Sequence, residues 1–451
     1  MRIADESFPL DVDFATARHA DIECYFRLGE EMMNSIEERY RGASAKSAEL
    51  GKQAERVMPG GDTRTTTFYR PYPLTLARGE GAFVWDIDGN RYIDLIGNYT
   101  SLVHGNAYPP IVEAVSKAIA GGSAWPARSE AQIELATLLC ERVASVERVR
   151  FCNSGTEAGM LAAQVARRLT GRKLILMARY GYHGSYEDFE VGLAGQDGER
   201  TMLADFGEAT AFDALLSERG SEIAAVFLEP VLGSAGVVEP PPGFLARVAE
   251  AAHRAGALFV LDEVITLRLN EGGAQKIYDV RPDLTMMGKI IGGGFPVGAI
   301  GGSEEVMSTF DPRNRGSLWH SGTFNGNPVT CAAGVVSVRE LTQARIDKMN
   351  RQAQRLAEEL ARAARQAELP FSVRQAGSLM NIFFLSEPPA ATIAREDARA
   401  IGNFHLAALN NGLFLAPRGL IALSTVTSDE LLNEIIERAA KAIAEVAQTG
   451  D

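Results

Sequence analysis

The chain has 451 residues, of which 46% are hydrophobic, so it is long enough for two or three domains and can supply a sizeable apolar core. Its 45 basic and 58 acidic residues give a formal net charge of −13 with no Lys/Arg-rich block, which argues against a nucleic-acid or anionic-membrane partner. The four cysteines are scattered, no apolar run approaches the ~18 residues of a membrane-spanning helix, and acids stand where a signal peptide would be apolar, so we expect a cytoplasmic protein.

The N-terminal segment, residues 1 to about 57, is charged and compatible with helices. Its apolar residues recur at spacings of three and four, which predicts one helix face that packs on another part of the protein: Tyr25, Leu28, Met32 and Ile36. Further along, two short alternating runs flank Asp88-Gly89, and this pattern predicts a β-hairpin.

Between about residue 148 and residue 302, short apolar runs alternate with helical stretches, a pattern typical of a largely parallel α/β sheet with buried strands. The predicted strands contain residues 149–151, 174–177, 225–228, 258–261 and 297–300. Two of these runs end in acids, at Glu229 and at Asp262. Because open α/β sheets bind ligands beyond the carboxyl ends of their strands, these acids lie where a site is expected.

After Pro328 the chain becomes helical, and an apolar stripe predicts one long helix whose stripe belongs to the core: Ile346, Met349, Ala353, Leu356 and Leu360. Shorter strand-like runs such as 381–384 follow, and then a final helix at about 428–447. We therefore expect a large domain over residues 96–335, a smaller C-terminal domain over residues 336–451, and an N-terminal segment, residues 1–95, that contributes to the small domain.

Several segments carry candidate chemistry, and each also has a simpler structural interpretation. Lys289 precedes a glycine run and could condense with a carbonyl cofactor, although most lysines are solvated surface charges. Residues 153–158 could present amides and hydroxyls to a phosphate, or could only cap a helix. Tyr182 could stack on a flat heterocycle, or could simply pack. Asp262 could pair with a protonated pyridine nitrogen, or could form an ordinary salt bridge.

Six motifs, in this order, resemble those of the class III, pyridoxal-phosphate-dependent aminotransferases. They are residues 153–158 (Asn-Ser-Gly-Thr-Glu-Ala), 182–184 (Tyr-His-Gly), 228–231 (Leu-Glu-Pro-Val), 262–264 (Asp-Glu-Val), 288–294 (Gly-Lys-Ile-Ile-Gly-Gly-Gly) and 322–328 (Gly-Thr-Phe-Asn-Gly-Asn-Pro). The resemblance extends from about residue 57 to the C-terminus. It implies pyridoxal 5'-phosphate (PLP) as cofactor, and an α/β fold of PLP-dependent transferase type I, with a mostly parallel seven-stranded sheet and a smaller α+β domain. It also implies at least a homodimer with shared active sites.

The resemblance also assigns roles to individual residues. Lys289 would form a Schiff base with the cofactor and later act as the general base, and Asp262 would keep the pyridine nitrogen protonated so that the ring remains an electron sink. The other implied cofactor contacts are a phosphate site at Ser154, Gly155 and Thr156, joined by Thr323 of the neighbouring subunit, ring faces covered by Tyr182 and Val264, and supporting groups His183 and Glu229.

Within this family, the strings at 58–61, 262–266 and 292–299 resemble the branch that contains glutamate-1-semialdehyde aminomutases and β-amino acid (β-phenylalanine type) aminotransferases. Arg64 and Arg418 stand where the β-amino acid enzymes carry carboxylate-binding arginines, although either could instead form a surface or interdomain salt bridge. The tripeptide Leu267-Arg268-Leu269 replaces the Gly-Phe-Arg that is common after this strand in the wider class. This replacement resembles the β-amino acid group and leaves the pocket shape open.

The leading hypothesis is therefore a transaminase that moves the amino group of a β-amino acid, such as an aromatic one, to a 2-oxo acid such as 2-oxoglutarate by a ping-pong mechanism. Three alternatives stay open: a glutamate-1-semialdehyde 2,1-aminomutase, an aminotransferase for D-arylglycine-like amino acids, and a non-catalytic PLP-binding scaffold. An aminomutase needs a gating loop, for which residues 192–210 are the candidate. No metal requirement is implied, because the six histidines are dispersed and no His-Glu-x-x-His occurs.

Overall fold

The computed structural model describes residues 35–449. Three members of the predicted N-terminal helix face therefore lie outside the described residues: Tyr25, Leu28 and Met32. The fourth, Ile36, is buried in helix α1 (Ser35–Ala43) and joins the core of the C-terminal region. Helix α2 (Ala45–Glu55) follows after one residue, Ser44.

The predicted hairpin around Asp88-Gly89 is confirmed. Strands β1 (Leu76–Glu80), β2 (Phe83–Asp86) and β3 (Arg91–Asp94) form consecutive antiparallel pairs. The turn between β2 and β3 closes because the amide of Asp86 donates to the carbonyl of Asn90 at 3.1 Å. Gly89 takes a φ of +97°, which glycine adopts without steric cost.

A seven-stranded sheet forms the centre of the described residues and confirms the predicted mostly parallel architecture. Its strands are β4 (Arg148–Cys152), β5 (Leu174–Ala178), β6 (Thr201–Ala204), β7 (Ile223–Leu228), β8 (Leu258–Asp262), β9 (Leu284–Gly288) and β10 (Gly298–Gly302). Their order is β4-β10-β9-β8-β7-β5-β6, and β10 runs antiparallel to both of its neighbours. The sequence pattern missed β6 and β9. Since β6 lies within residues 192–210 and is fully buried, part of the proposed gating segment is a core strand.

Helices cover both faces of this sheet, as a parallel sheet requires. They are α3 (Pro109–Gly121), α4 (Glu130–Arg142), α5 (Gly155–Thr170), α6 (Glu187–Ala194), α7 (Ala209–Arg219), α8 (Phe244–Arg254), α9 (Ala274–Ile277), α10 (Glu304–Met307) and α11 (Pro328–Glu340). In β7, Val226 and Leu228 pack with Phe212 of α7 and Phe244 of α8, whereas Phe227 packs with α5. The alternation along one strand therefore builds two separate apolar layers.

The C-terminal region contains α12 (Gln343–Gln366), β11 (Ser372–Ala376), β12 (Leu379–Phe383), α13 (Ala398–Asn410), β13 (Leu413–Phe414), β14 (Leu420–Ala422) and α14 (Asp429–Ala447). The predicted apolar stripe of the long helix is confirmed as core, because all five of its residues are buried in α12. Strands β11, β12 and β14 form an antiparallel sheet, and β13 pairs in parallel with β3. The final helix matches its predicted range, and the Ser428 hydroxyl caps it by accepting the amide of Leu431.

Two kinds of feature are absent from residues 35–449. Within that range, no helix is both long and apolar enough to span a membrane. Over the same residues, no group of histidine, cysteine and acidic side chains could hold a metal ion.

Candidate active site

Four candidate groups lie at one edge of the central sheet. Strands β4, β7, β8 and β9 point in the same direction, since β7, β8 and β9 pair in parallel and β10 is antiparallel to both β4 and β9. Ser154 follows β4, Glu229 follows β7, Asp262 ends β8 and Lys289 follows β9. The structure thus brings these groups to the carboxyl edge, where open α/β sheets bind their ligands.

The segment predicted to bind phosphate forms the start of α5. The Ser154 hydroxyl accepts the amide of Glu157 at 3.1 Å, and the Glu157 carboxylate accepts the amide of Asn153 at 3.0 Å. Gly155 and Thr156 are the first two helical residues, whose amides have no acceptor within the helix. A 16-residue helix therefore presents free N–H groups and its positive dipole end at this edge, as an anion site needs.

Asp262 is a buried carboxylate held by two donors. Its Oδ2 lies 2.8 Å from His183 Nδ1, and its Oδ1 accepts the amide of Val264 at 3.0 Å. His183 is packed edge-on against Phe189 and Phe227. Nε2 of the same ring has no hydrogen-bond partner within the described part of the chain. His183 therefore orients the Asp262 carboxylate, which stays available to a cationic ligand group.

Glu229 holds the segment that carries Tyr182. One carboxylate oxygen accepts the amide of Tyr182 at 3.0 Å, and the other accepts the amide of Gly233 at 3.1 Å. Burial raises the pKa of Glu229 to about 7, an effect that His183 and the two amides oppose. Glu229 therefore fixes the backbone at Tyr182 and Gly233, and its predicted supporting role toward the cofactor stays a prediction.

Lys289 sits in an unusual backbone conformation. Its φ is +48°, in the left-handed region that disfavours residues with a Cβ, and it begins the short 3-10 turn Lys289–Gly292. Burial lowers the pKa of its ammonium, Asp262 and Glu229 oppose that effect, and Arg418 adds to it. Backbone strain of this kind persists at functional sites, and a lowered pKa favours the neutral amine that a nucleophile or base requires.

Val264 lies between the helix start and the lysine turn. An ideal Cβ placed on Gly155 would lie 3.2 Å from a Val264 methyl carbon, and one on Gly288 would lie 3.3 Å from it. The two glycines thus leave room for the valine side chain at the edge of the sheet. The contact with the cofactor ring predicted for Val264 stays a prediction.

Arg64 and Arg418 meet at a residue that the sequence analysis missed. Both guanidinium carbons lie 5.7 Å from the centre of the Tyr99 ring, and Arg64 also donates to the side-chain oxygen of Asn98 at 2.8 Å. Residues 97–100 form one left-handed turn, with φ between +47° and +78°. The carboxylate of Asp94 stabilises the start of this turn by accepting two backbone amides. Consecutive positive φ angles are costly for side chains such as tyrosine and threonine, which points to a functional constraint on this turn.

Two further residues named in the sequence analysis, the predicted site residue Thr323 and Arg268, lie elsewhere. Thr323 is exposed in the loop before α11, so its predicted contact with a neighbouring subunit stays a prediction. Arg268 is buried in the core, where it donates to the Ser378 hydroxyl at 3.2 Å and to the carbonyl of Leu423. Arg268 therefore contacts the C-terminal region.

Comparison with known proteins decides the family. Residues 66–443 match the class III aminotransferases. The chain belongs to this family. A β-phenylalanine transaminase from Variovorax paradoxus is 38% identical over 403 residues, which cover 87% of this chain and 91% of the relative. A glutamate-1-semialdehyde 2,1-aminomutase from Myxococcus xanthus is 36% identical over 433 residues, which cover 90% and 99%.

Solved structures of related enzymes share the fold. An omega-transaminase from Sphaerobacter thermophilus has a TM-score of 0.85 and 39% sequence identity, and the match covers 90% of this chain and 98% of that one. A β-phenylalanine aminotransferase from Variovorax paradoxus has a TM-score of 0.83 and 34% identity, with coverages of 95% and 97%. The class III aminotransferase is thus a PLP-dependent transaminase of fold type I, as the motif resemblance implied.

The residues of the class III aminotransferase fit PLP. The described ion pairs give the Asp262 carboxylate one partner, His183, so a protonated pyridine nitrogen is a suitable second one. The free end of α5 suits a phosphate group. Lys289 supplies an amine on the same edge of the sheet.

Gly298 lies against the turn at Ser154 that is predicted to bind phosphate. An ideal Cβ at this position would lie 1.9 Å from the carbonyl oxygen of Ser154, so Gly298→Ala must displace the turn. We expect this variant to lose about 1–3 kcal/mol of stability and to bind PLP more weakly, as shown by thermal unfolding and cofactor titration. Gly402→Ala in α13 is the control, since its Cβ would meet nothing within 4 Å. Equal behaviour of the two variants would show that Gly298 does not constrain the turn.

Proposed function

We propose that this enzyme transfers the amino group of a β-amino acid, aromatic and similar to β-phenylalanine, to a 2-oxo acid such as 2-oxoglutarate in a ping-pong reaction. The observation that carries this proposal is the pair of arginines at Tyr99, one of which, Arg418, also acts on the pKa of Lys289. The β-phenylalanine transaminase of Variovorax paradoxus, at 38% identity, supports the same substrate class.

Two cations beside one ring suit two carboxylate substrates. A guanidinium binds a carboxylate through two parallel hydrogen bonds, and its planar shape fixes the orientation of the acid. The chain has a net charge of −13, so an anionic substrate depends on locally placed cations. Arg64 and Arg418 supply two, which is enough for a monocarboxylate donor and for both ends of a dicarboxylate acceptor.

The remaining site residues then take the following roles. Ser154, Gly155 and Thr156 hold the phosphate, Tyr182 and Val264 cover the two ring faces, and Asp262, oriented by His183, holds the pyridine N–H. When bound, PLP supplies an electron sink for the carbon that loses a proton. The Lys289 Nζ takes that proton from the substrate carbon and passes it to the cofactor. The lowered pKa of Lys289 favours the neutral amine that this transfer requires.

We also propose a cytoplasmic homodimer in which Thr323 completes the phosphate site of the partner. In one chain, Trp319 is 91% exposed and Phe324 is 61% exposed, and both flank Thr323 in the same loop. Large aromatic side chains in contact with water favour burial against a second protein surface. A second copy of the chain would cover them and bring the threonine to the neighbouring site.

Donor and acceptor assays test this function. We expect purified holoenzyme to form glutamate from β-phenylalanine and 2-oxoglutarate, with weak or no turnover of D-phenylglycine. The competing candidate is a glutamate-1-semialdehyde 2,1-aminomutase, favoured by the relative from Myxococcus xanthus at 36% identity. Absence of glutamate with β-amino donors, together with turnover of the semialdehyde, would replace our proposal with the aminomutase.

Arg418→Ala tests the acid pocket. Because a hydrogen-bonded ion pair with a substrate contributes about 1.5–3 kcal/mol, we expect kcat/KM for β-phenylalanine to fall roughly tenfold to a hundredfold. A donor without a carboxylate, 1-phenylethylamine, should lose much less of its rate in a single-turnover half-reaction, since it loses only the effect of Arg418 on the pKa of Lys289. Equal losses for the two donors would show that Arg418 has a structural role.

A further inference from the structure

A buried ion pair lies next to the backbone of Arg418. Arg395 and Asp397 form a forked pair, with Nε–Oδ1 and Nη2–Oδ2 distances of 2.5 and 2.7 Å. Both side chains are 2% exposed. The second carboxylate oxygen also accepts the amide of Phe384 at 2.6 Å, which ties the pair to the end of β12. The guanidinium therefore has a fixed orientation.

The third nitrogen of this guanidinium, Nη1, faces the loop that carries Arg418. Arg395 Nη1 donates to the main-chain carbonyl of Arg418 at 2.7 Å, and the side-chain amide of Asn381 donates to the same carbonyl at 3.2 Å. Asn381 is fully buried in β12. Two buried donors thus hold the main-chain carbonyl of Arg418.

The backbone on both sides of Arg418 is also fixed. The amide of Gly419 donates to the carbonyl of Ala416 at 2.9 Å, and the carbonyl of Gly419 accepts the amide of Ile382 at 3.1 Å. Gly419 takes a φ of +86°. The loop is therefore a tight turn that carries the half-buried Arg418 side chain. The hydrogen bond from Arg395 helps to set the direction in which that side chain leaves the turn.

Stability alone does not account for this ion pair. Removing two charges from water is costly, and apolar side chains of similar volume often replace buried pairs without loss of stability. A buried pair is more effective at selecting one geometry, since its hydrogen bonds are directional. The geometry that this pair selects is that of Arg418.

We propose that Arg395, oriented by Asp397, is a positioning residue for the substrate carboxylate. The role of Arg395 rests on the role proposed above for Arg418, and Arg395 itself touches neither substrate nor cofactor. Holding the arginine turn keeps the Arg418 fork in the orientation that a carboxylate needs. The acid specificity of the enzyme therefore depends on an ion pair in the core behind the pocket.

The test uses a double variant that can fold. Arg395→Met/Asp397→Leu replaces the pair by apolar side chains and removes the shorter of the two hydrogen bonds to the Arg418 carbonyl, without leaving an unpaired buried charge. In the holoenzyme we expect the KM for β-phenylalanine and for 2-oxoglutarate to rise about tenfold to a hundredfold, because small misplacements of binding groups have effects of this size. The single-turnover rate with saturating 1-phenylethylamine should stay unchanged.

A matched control is Arg172→Met. Arg172 donates to two backbone carbonyls, those of Ile223 and Ala255, at the opposite edge of the sheet. It should lower the thermal midpoint without separating acids from the amine. The proposal is overturned if the double variant leaves both donors unchanged or impairs them equally while Arg418→Ala still separates them. If Arg418→Ala itself fails to separate them, the role proposed for Arg418 is wrong, and this inference falls with it.

Discussion

Replacing Lys289 by alanine is expected to abolish transamination. If Lys289 has the proposed roles, the variant loses both the amine that bonds to the cofactor and the base that moves the proton, so turnover should fall by about 10⁴-fold. The covalent link gives a second readout: after borohydride reduction, the intact mass of the wild-type protein should include the cofactor, whereas that of Lys289→Ala should not. Lys289 has the lowered pKa and the left-handed backbone conformation expected of a reactive amine.

Lys276→Ala is the matched control for this experiment. Lys276 is exposed in the short helix α9, and its removal should change neither turnover nor the reduced mass. Normal activity of Lys289→Ala, or a cofactor that remains attached to it, would remove Lys289 from the centre of the site.

Asp262→Asn is expected to give the second largest loss. Asparagine keeps the size of the side chain and can still accept the Val264 amide, but it removes the negative charge that would keep the pyridine nitrogen protonated. Losing one such preorganised electrostatic contact slows chemistry by about 10²–10³-fold. Single-turnover absorbance measurements with a saturating donor should show this loss in the chemical step, with a smaller change in cofactor affinity.

A second aspartate offers a close comparison. Asp283 also pairs with a histidine, His253, at 2.8 Å and accepts the amide of Phe259 at 2.7 Å, but it precedes β9 at the opposite edge of the sheet. Asp283→Asn should leave the half-reaction rate unchanged. If the two variants were equally active, Asp262 would have no electrostatic role in the reaction.

Much of the arrangement of the candidate site could be predicted from sequence, because its residues follow strands. Apolar runs that end in Glu229 and Asp262 mark the carboxyl ends of parallel strands, and these ends meet at one edge. Strand β9, just before Lys289, escaped the pattern because Thr285 is its one β-branched residue and Gly288 ends it. The motif resemblance located Lys289 where the strand pattern did not.

Other parts depend on contacts between distant residues. The left-handed turn at Tyr99 forms because Asp94 binds backbone amides and because Arg64 and Arg418 approach from distant parts of the chain. The hydrogen bond from Arg395 likewise joins an arginine to a carbonyl 23 residues away. Neither arrangement has a local periodicity or a local composition that could reveal it, so only the folded chain shows which arginines lie close together.

The path of the nitrogen atom tests the proposed β-amino acid transaminase most directly. Holoenzyme is incubated with β-phenylalanine carrying an isotopically labelled amino group and with unlabelled 2-oxoglutarate, and the glutamate formed is analysed by mass spectrometry. We predict that the label appears in glutamate, and that Lys289→Ala forms none. Two results would contradict the proposal. One is unlabelled glutamate, and the other is no glutamate while glutamate 1-semialdehyde is converted to the isomer that carries its amino group on the neighbouring carbon.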